Sequence, residues 1–396
     1  MKKGHVILII ILFLISVTAA FYFFDIADFS ELEKLPYYAV SSFLRMSAAY
    51  IFSLFFALSY GYTAATNKTA RKLMLPVLDI LQSVPILGFF PAAILFFIGL
   101  LPGRPGVEVA AIFLIFTSMA WNMAFGVHES LTTIPKELVE AADSFGLHGW
   151  QRLENLTLPV CVPKMVYNSI VSWSVGWFFL VASEIISAGK ESYKLPGLGS
   201  FLIDTTYSGK IPLMLVGLSV LVIIILLLEL FIWKPMQSWA DKYAYEYAGE
   251  KKPGRFIFNT KIIKYSFRFI FEAFSKITVT VYIVFHRHRW IKIISKSLGY
   301  AIIISALAYV FYVLLVSINK LLLNLPSDAY SIPLAIVYSF LRLSAAYLIC
   351  IAWTIPAAYY IAKSKKASSY LIPFIEVVAS IPAIALFPAL VVIFIS

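Results

Sequence analysis

The sequence predicts an all-α polytopic membrane protein, and three observations carry that reading. Hydrophobic residues make up 61% of the chain, against about 45–50% in soluble domains. Several apolar runs exceed the roughly 20 residues that cross a bilayer as a helix. Basic residues gather in the short segments between those runs, where they act as an orientation signal. The net charge of +11 is therefore topological first and an affinity for anionic lipid second. The same placement argues against nucleic acid as a partner. Cys161 and Cys350, the two cysteines, both lie in apolar runs, which argues against a disulfide or metal framework.

Hydropathy places spans at about 5–24, 37–65, 73–101, 107–128, 160–187, 210–233, 297–319, 333–362 and 370–396. The first imitates a secretory signal but continues through Phe21–Phe24 past Thr18-Ala19-Ala20, so it reads as an uncleaved span. Lys2 and Lys3 set the N-terminus inside, and Lys68, Arg71 and Lys72 return the chain to the inside after the acidic connector from Asp25 to Lys34. By the same alternation the stretch 129–159 is cytoplasmic, 188–209 is external, and the basic segment from Lys234 to Lys296 is cytoplasmic.

The chain also repeats itself. SFLRMSAAY at Ser42–Tyr50 recurs as SFLRLSAAY at Ser339–Tyr347, and the register continues without a gap through Pro76 with Pro373, Asp79 with Glu376, Pro85 with Pro382 and Phe90-Pro91 with Phe387-Pro388. Roughly one position in three is identical, the mark of a duplication rather than of shared hydrophobicity. Six spans separate the copies, an even number, so the repeat is parallel and unlike the inverted repeats of many secondary transporters. Ser396 pairs with Gly99, so the second copy is expected to be incomplete and to need a second module or a completing fragment.

Between the fourth and fifth spans lies IPKELVEAADSFGLHGWQRLENLTLP, Ile134–Pro159. Leu138, Ala141, Ala142 and Phe145 fall at i, i+3, i+4 and i+7, one face of a helix. Pro135 suits its first turn, with Thr132 and Thr133 as candidate caps. Gly146 suits its left-handed end, and Pro159 marks the next span. Two alanines make a smooth surface that fits a partner's groove, and Glu137, Glu140 and Asp143 add charge to it.

This stretch resembles the coupling loop of ABC-importer permeases, whose signature is Glu-Ala-Ala, three residues, Gly, then about a dozen residues to Leu-Pro. The matching residues are Glu140, Ala141, Ala142, Gly146, Leu158 and Pro159; Asp143 stands where many relatives carry a basic residue. The resemblance implies a type I ABC importer transmembrane domain. On that basis 1–240 is one complete module of about six transmembrane helices, and 297–396 is the first half of a parallel repeat, with about three. The partners it implies are ABC ATPase subunits and an extracytoplasmic solute-binding protein. ATP and Mg would then sit on the ATPase, with no cofactor on this chain. No Gly-x-x-x-x-Gly-Lys-Ser/Thr phosphate loop and no His-Glu-x-x-His or Ser/His/Asp arrangement occurs in the sequence, so the chain is read as a permease and not as an enzyme.

Two further stretches bear on a path. DILQSVPILGFFPAAILFF holds Pro85, Gly88 and Pro91, a break tolerated at membrane depth only beside protein or water. The second copy repeats it around Pro382 and Pro388. The expectation is a bent, gate-forming helix, with Asp79 and Glu376 at its interfacial start. SVGWFFLVASEII puts Glu184 near the outer end of the fifth span, where it would line an outer gate or make a buried hydrogen bond. The Pro-x-x-x-Phe-x-Pro-like break and the Ala-Ser-Glu followed by Gly-Leu-Gly resemble the nitrate, sulfonate and taurine branch of these permeases.

The linker 241–296 places Lys261, Lys264, Arg268, Glu272 and Lys276 on one helical face, which suits a helix on the inner leaflet; a plain tether is the alternative. His286 and His288 belong to its basic cluster. The expected function is the permease subunit of an ATP-driven importer in the plasma (inner) membrane. It would pass a small solute inward, with oxyanions such as nitrate or sulfonate among the candidates. Ferric-iron permeases, which are commonly fused pairs, and ion-coupled secondary transporters are the alternatives.

Overall fold

A computed structural model describes residues 29–147, 149–188, 191–243 and 330–364, with 305, 308, 312, 366–368, 371 and 375 besides. The expected spans at 5–24 and 297–319, nearly all of 370–396 with Pro382 and Pro388, and the linker beyond 243 lie outside the described residues. What is described falls into two units: 29–243 forms the first, and the helix Ile332–Lys363 belongs to the second.

The first unit is helical almost throughout. A 3-10 turn, Phe29–Lys34, leads into α1 (Leu35–Thr66), α2 (Lys68–Ser83), α3 (Ile86–Leu100), α4 (Arg104–Thr132), α5 (Lys136–Ser144), α6 (Gly149–Arg152) and α7 (Leu158–Ser183). A short antiparallel hairpin, β1 (Ile185–Ala188) with β2 (Glu191–Lys194), follows and pairs Ile185 with Lys194. Beyond it come α8 (Leu198–Tyr207), α9 (Ile211–Leu228) and α10 (Lys234–Ala240); α11 is Ile332–Lys363. Among the described residues, five helical stretches are long and apolar enough to cross a membrane: Glu31–Thr66, Arg104–Thr132, Leu153–Ser183, Ile211–Tyr243 and Ile332–Lys363. They match the expected spans 37–65, 107–128, 160–187, 210–233 and 333–362, and the chain is a multi-pass membrane protein.

The expected span 73–101 is instead two helices, bent by 98° between Ser83 and Ile86. Pro85 forces it, because its ring disfavours helical geometry at the residue before it; Val84 is extended, with ψ 124°. Pro91 does not add a second break and sits within α3. At 15 residues α3 is about 22 Å long, short of the roughly 30 Å hydrocarbon core. At the α1–α2 junction the Asn67 side chain accepts from the Thr69 and Ala70 amides, while Arg71 donates to the Ala64 and Ala65 carbonyls. One residue thus caps each helix end.

Prolines also explain two wide turns. Pro159 and Pro235 lack the N–H that would close an i→i−4 bond. In each case the helix answers with a π turn just before, at Leu153–Thr157 and Glu229–Trp233. Leu158 N–H donates to the Leu153 carbonyl and Lys234 N–H to that of Glu229. Pro159, expected to mark the next span, does not begin it: the chain is helical without interruption from Gly149 to Ser183.

Small residues set the core. Ala49, Ser53, Ala57, Gly61 and Ala64 form the buried ridge of α1, and a Cβ on Gly61 would come within 2.8 Å of the Ala124 carbonyl on α4. Such close backbone approach is the usual route to helix packing in lipid. Across α4 and α7, Asn122 Nδ2 donates to the Asn168 carbonyl (3.3 Å) and Ser172 Oγ (3.0 Å), and Asn168 Nδ2 donates back to the Asn122 carbonyl (3.2 Å). Trp173 fixes a third helix, with its ring 5.5 Å from those of Tyr50 and Trp233.

Candidate functional site

The 29 residues of α4 span about 43 Å and separate two candidate sites, one at each end of the first unit. The first is α5 and its turn, just beyond the C-terminus of α4. Pro135 precedes the helix, and its carbonyl accepts from the Leu138 and Val139 amides. Gly146 closes it with φ +68°, the left-handed conformation that favours glycine. Its N–H donates to the Asp143 carbonyl (3.0 Å) and Leu147 N–H to that of Ala142 (2.9 Å), a complete Schellman turn. Thr132 and Thr133 do not cap α5. Their hydroxyls turn back onto the Glu129 carbonyl and so finish α4.

Of the sequence-predicted coupling residues, Glu137, Glu140, Ala141, Asp143 and Gly146 are exposed, Ala142 is buried, and Leu158 and Pro159 are half-buried at the start of α7. Asp143 Oδ1 accepts from Arg152 Nη1 at 2.7 Å, which ties the turn to α6. Asp143, the departure from the family pattern, therefore has a partner of its own within the loop. Lys164 of α7 pairs with Glu129 of α4 beneath it. Phe145, placed on one helical face with Leu138, Ala141 and Ala142, is 82% exposed just past the end of α5 at Ser144. The result is an apolar knob beside exposed Ala141 and two carboxylates.

The second site is a buried charge brace at the opposite end, built around Arg45 and Glu184. Glu184 is 0% and Arg45 4% exposed. Glu184 Oε1 accepts from Ser42 Oγ (2.5 Å) and Arg45 Nη1 (2.8 Å), and its Oε2 from the Gly199 amide (2.7 Å). Arg45 also grips Glu108 of α4 with both arms of its fork, Nε–Oε2 at 2.6 Å and Nη2–Oε1 at 2.9 Å, and donates to the Pro196 carbonyl. Ser42 Oγ takes the Leu198 amide at 2.9 Å. A Cβ on Gly197 would run into the Glu184 carboxylate, and one on Gly199 would come within 2.7 Å of Val181 Cα. The Gly-Leu-Gly turn is thus what lets the start of α8 close over the carboxylate.

Of the two readings open for Glu184, the geometry is that of the buried hydrogen bond. With no exposed surface in this conformation, it ties α1, α4, α7 and α8 together and lines no opening. Sequence reading singled out Glu184 but missed Arg45, Ser42 and Glu108. The signal available was an arginine inside an apolar run, a placement that calls for a buried partner.

Pro85, Gly88 and Pro91 are all exposed. Ile94 of α3 is buried against Val107, Ala110, Ala111 and Leu195. Gly88 meets nothing nearer than Pro85 Cβ, at 3.8 Å, so crowding does not require glycine there. Among the described residues no cluster of His, Cys, Asp and Glu is arranged to hold a metal.

Residues 49–233 match the model of one family, the binding-protein-dependent transport system inner membrane component. The permease segment is 26% identical over 192 residues to the taurine transport system permease protein TauC of Escherichia coli (strain K12), covering 48% of this chain and 64% of that protein. Just under two thirds of the taurine permease thus has a counterpart here. It is also 22% identical over 214 residues to the bicarbonate permease CmpB of Synechococcus elongatus, covering 54% of this chain and 72% of that one. The nitrate import permease NrtB of the same organism is 23% identical over 168 residues, 42% of this chain and 56% of that protein. Among solved structures, a chain of the MetNI methionine ABC transporter in inward-facing conformations is similar at 20% identity and a TM-score of 0.40, over 50% of this chain and 93% of that chain.

Proposed function

We propose that this chain is the membrane-spanning permease subunit of an ATP-driven importer in the plasma membrane, with α5 as the surface that docks a separate ATPase. The observation that carries the proposal is the form of α5: a short helix held outside the bundle, closed by Gly146, braced by Asp143–Arg152, and presenting Glu137, Glu140, Ala141 and Phe145 outward. Its continuation, helical without a break from Gly149 into α7, would carry a push on the loop along the axis of a span. Exposed Gly88 and Pro91 of α3 would wall the solute path, beyond the Pro85 bend. A solute-binding protein would deliver at the end that carries the charge brace.

Taurine, bicarbonate and nitrate are the solutes in the names of the three relatives above, which supports a small solute carrying an oxyanion group as substrate. A glycine betaine permease of Bacillus subtilis, 25% identical over 180 residues, keeps zwitterions in view. An ion-coupled transporter would need a buried carboxylate free to exchange its ligand, and Glu184 is held by three donors. The test is recovery of a candidate ABC ATPase when it is co-expressed with this chain and the chain is purified. Ala141→Arg should insert normally and lose most of the ATPase, because an arginine replaces the smooth contact. Full recovery with Ala141→Arg and with Gly146→Pro would sink the proposal.

A further inference from the structure

The turn that closes over the charge brace also forms one wall of a recess at the same end of the first unit. The recess has a volume of about 380 Å³ and lies between Tyr37 and Tyr38 of α1, Arg104 at the start of α4, Lys194 of β2, the turn itself and Asp204 of α8. Small-molecule sites fall at about 300–1,000 Å³, so the space suits one small solute. The turn is held in shape by its own bonds. The Pro196 carbonyl accepts from Arg45 Nη1 (3.0 Å), and Ser200 Oγ donates to the Leu195 carbonyl (2.7 Å) while taking the Gly197 amide (3.1 Å). The Tyr38 ring meets the edge of Phe201 of α8, 6.4 Å away, which sets the opposite wall.

The charge of the recess is unbalanced. Two cations and one carboxylate line it. Lys194 Nζ is already paired with Asp204 Oδ1 at 2.5 Å, which leaves Arg104 as the excess charge. Among the described residues the Arg104 guanidinium makes no hydrogen bond or ion pair, and the phenol hydroxyls of Tyr37 and Tyr38 make no hydrogen bond. A guanidinium offers parallel N–H donors in a fixed fork, the geometry that matches two oxygens of one oxyanion and that a bare halide cannot use.

We propose that this recess is a binding site for a small solute carrying an oxyanion group, with Arg104 as the residue that recognises that group. The proposal deepens the function given above and rests on it for the class of solute; the place rests on the recess and its charge. A free solute is the occupant, because the enclosed volume is that of a small molecule.

The test is saturation-transfer NMR on the methylene protons of taurine, with the full purified chain in detergent and no other protein present. Taurine should receive saturation from the protein, and nitrate should displace it where chloride at the same concentration does not. Arg104 is exposed and unbonded, so Arg104→Gln should melt as the wild type does while lowering the transfer roughly tenfold, the loss of a charged hydrogen bond. Lys68→Gln removes the same charge from an exposed position at the other end of α1 and should change nothing. A second readout needs no variant: phenylglyoxal labels free arginines, and taurine or nitrate should slow labelling of Arg104, mapped by peptide mass, without slowing that of Arg152. Absence of transfer in the wild type, equal transfer with Arg104→Gln, chloride as effective as nitrate, or Arg104 labelling that taurine does not slow would each overturn the proposal. Arg104→Gln should recover the ATPase as the wild type does, so failure of the recess and failure of the α5 docking surface appear in different measurements.

Discussion

Replacing Arg45 by methionine keeps an unbranched stem and removes the guanidinium and its charge, which tests what the buried brace contributes. Arg45 makes four polar contacts: two with Glu108, one with Glu184 and one with the Pro196 carbonyl. The Glu108 arm is the weaker, since that side chain is 29% exposed and water can replace the lost contact. Glu184 has no such recourse. Without Arg45 it keeps Ser42 and the Gly199 amide but remains a buried, unneutralised carboxylate, a situation that costs about 3–5 kcal/mol. For a body of this size that corresponds to a fall in Tm on the order of 10 °C. Tryptophan fluorescence suits the assay, because Trp173 and Trp177 lie in α7, the helix that ends at Glu184. The second half is a rescue. Arg45→Met with Glu184→Gln removes the stranded charge and should recover more than half of the loss, a coupling that a thermodynamic cycle reads directly. A loss below about 1 kcal/mol for Arg45→Met, or no relief from Glu184→Gln, would refute the claim that Glu184 depends on the guanidinium.

Three shorter expectations follow from single glycines. Gly197→Ala forces a methyl into the Glu184 carboxylate and should destabilise by about 1–3 kcal/mol, read as a lower Tm with faster proteolysis at 189–197. Gly61→Leu drives α1 away from the Ala124 carbonyl and should abolish a cooperative melt, whereas Gly99→Leu, with nothing within 4 Å, should leave the melt unchanged. Gly146→Ala must hold φ +68°, at about 1–2 kcal/mol. It should loosen α5 locally, seen as faster amide exchange at 136–147 with the global Tm nearly unchanged.

Periodicity and turn chemistry made most of the first unit readable in the sequence. Apolar runs located the spans because a helix satisfies its own backbone in lipid, and Pro85 and Gly146 each marked the break it makes because proline's clash with the preceding residue and glycine's freedom at positive φ both act locally. Long-range partners were another matter. Arg45 stood in view inside the repeated SFLRMSAAY, yet its carboxylates lie 63 and 139 residues away, and no spacing rule links them. The hairpin 185–194 escaped because four-residue strands next to a span continue its apolar pattern. Thr132 and Thr133 lie between two helices and were assigned to the later one; their hydroxyls find the unsatisfied carbonyls of α4 closer to hand. Phe145 was placed by a period that stops one residue before it.

The claim that organises the account is that α5 meets the ATPase while the brace end does not. Phe145 and Tyr207, 82% and 88% exposed, mark the two ends. With Cys161 and Cys350 replaced by serine, a single cysteine at each position in turn, F145C or Y207C, is treated with a short bifunctional thiol-to-amine reagent in membranes that also contain the ATPase. The account expects a permease–ATPase adduct from F145C whose yield changes when ATP is added, and none from Y207C. Adducts of equal yield from both positions, or from Y207C alone, would contradict it.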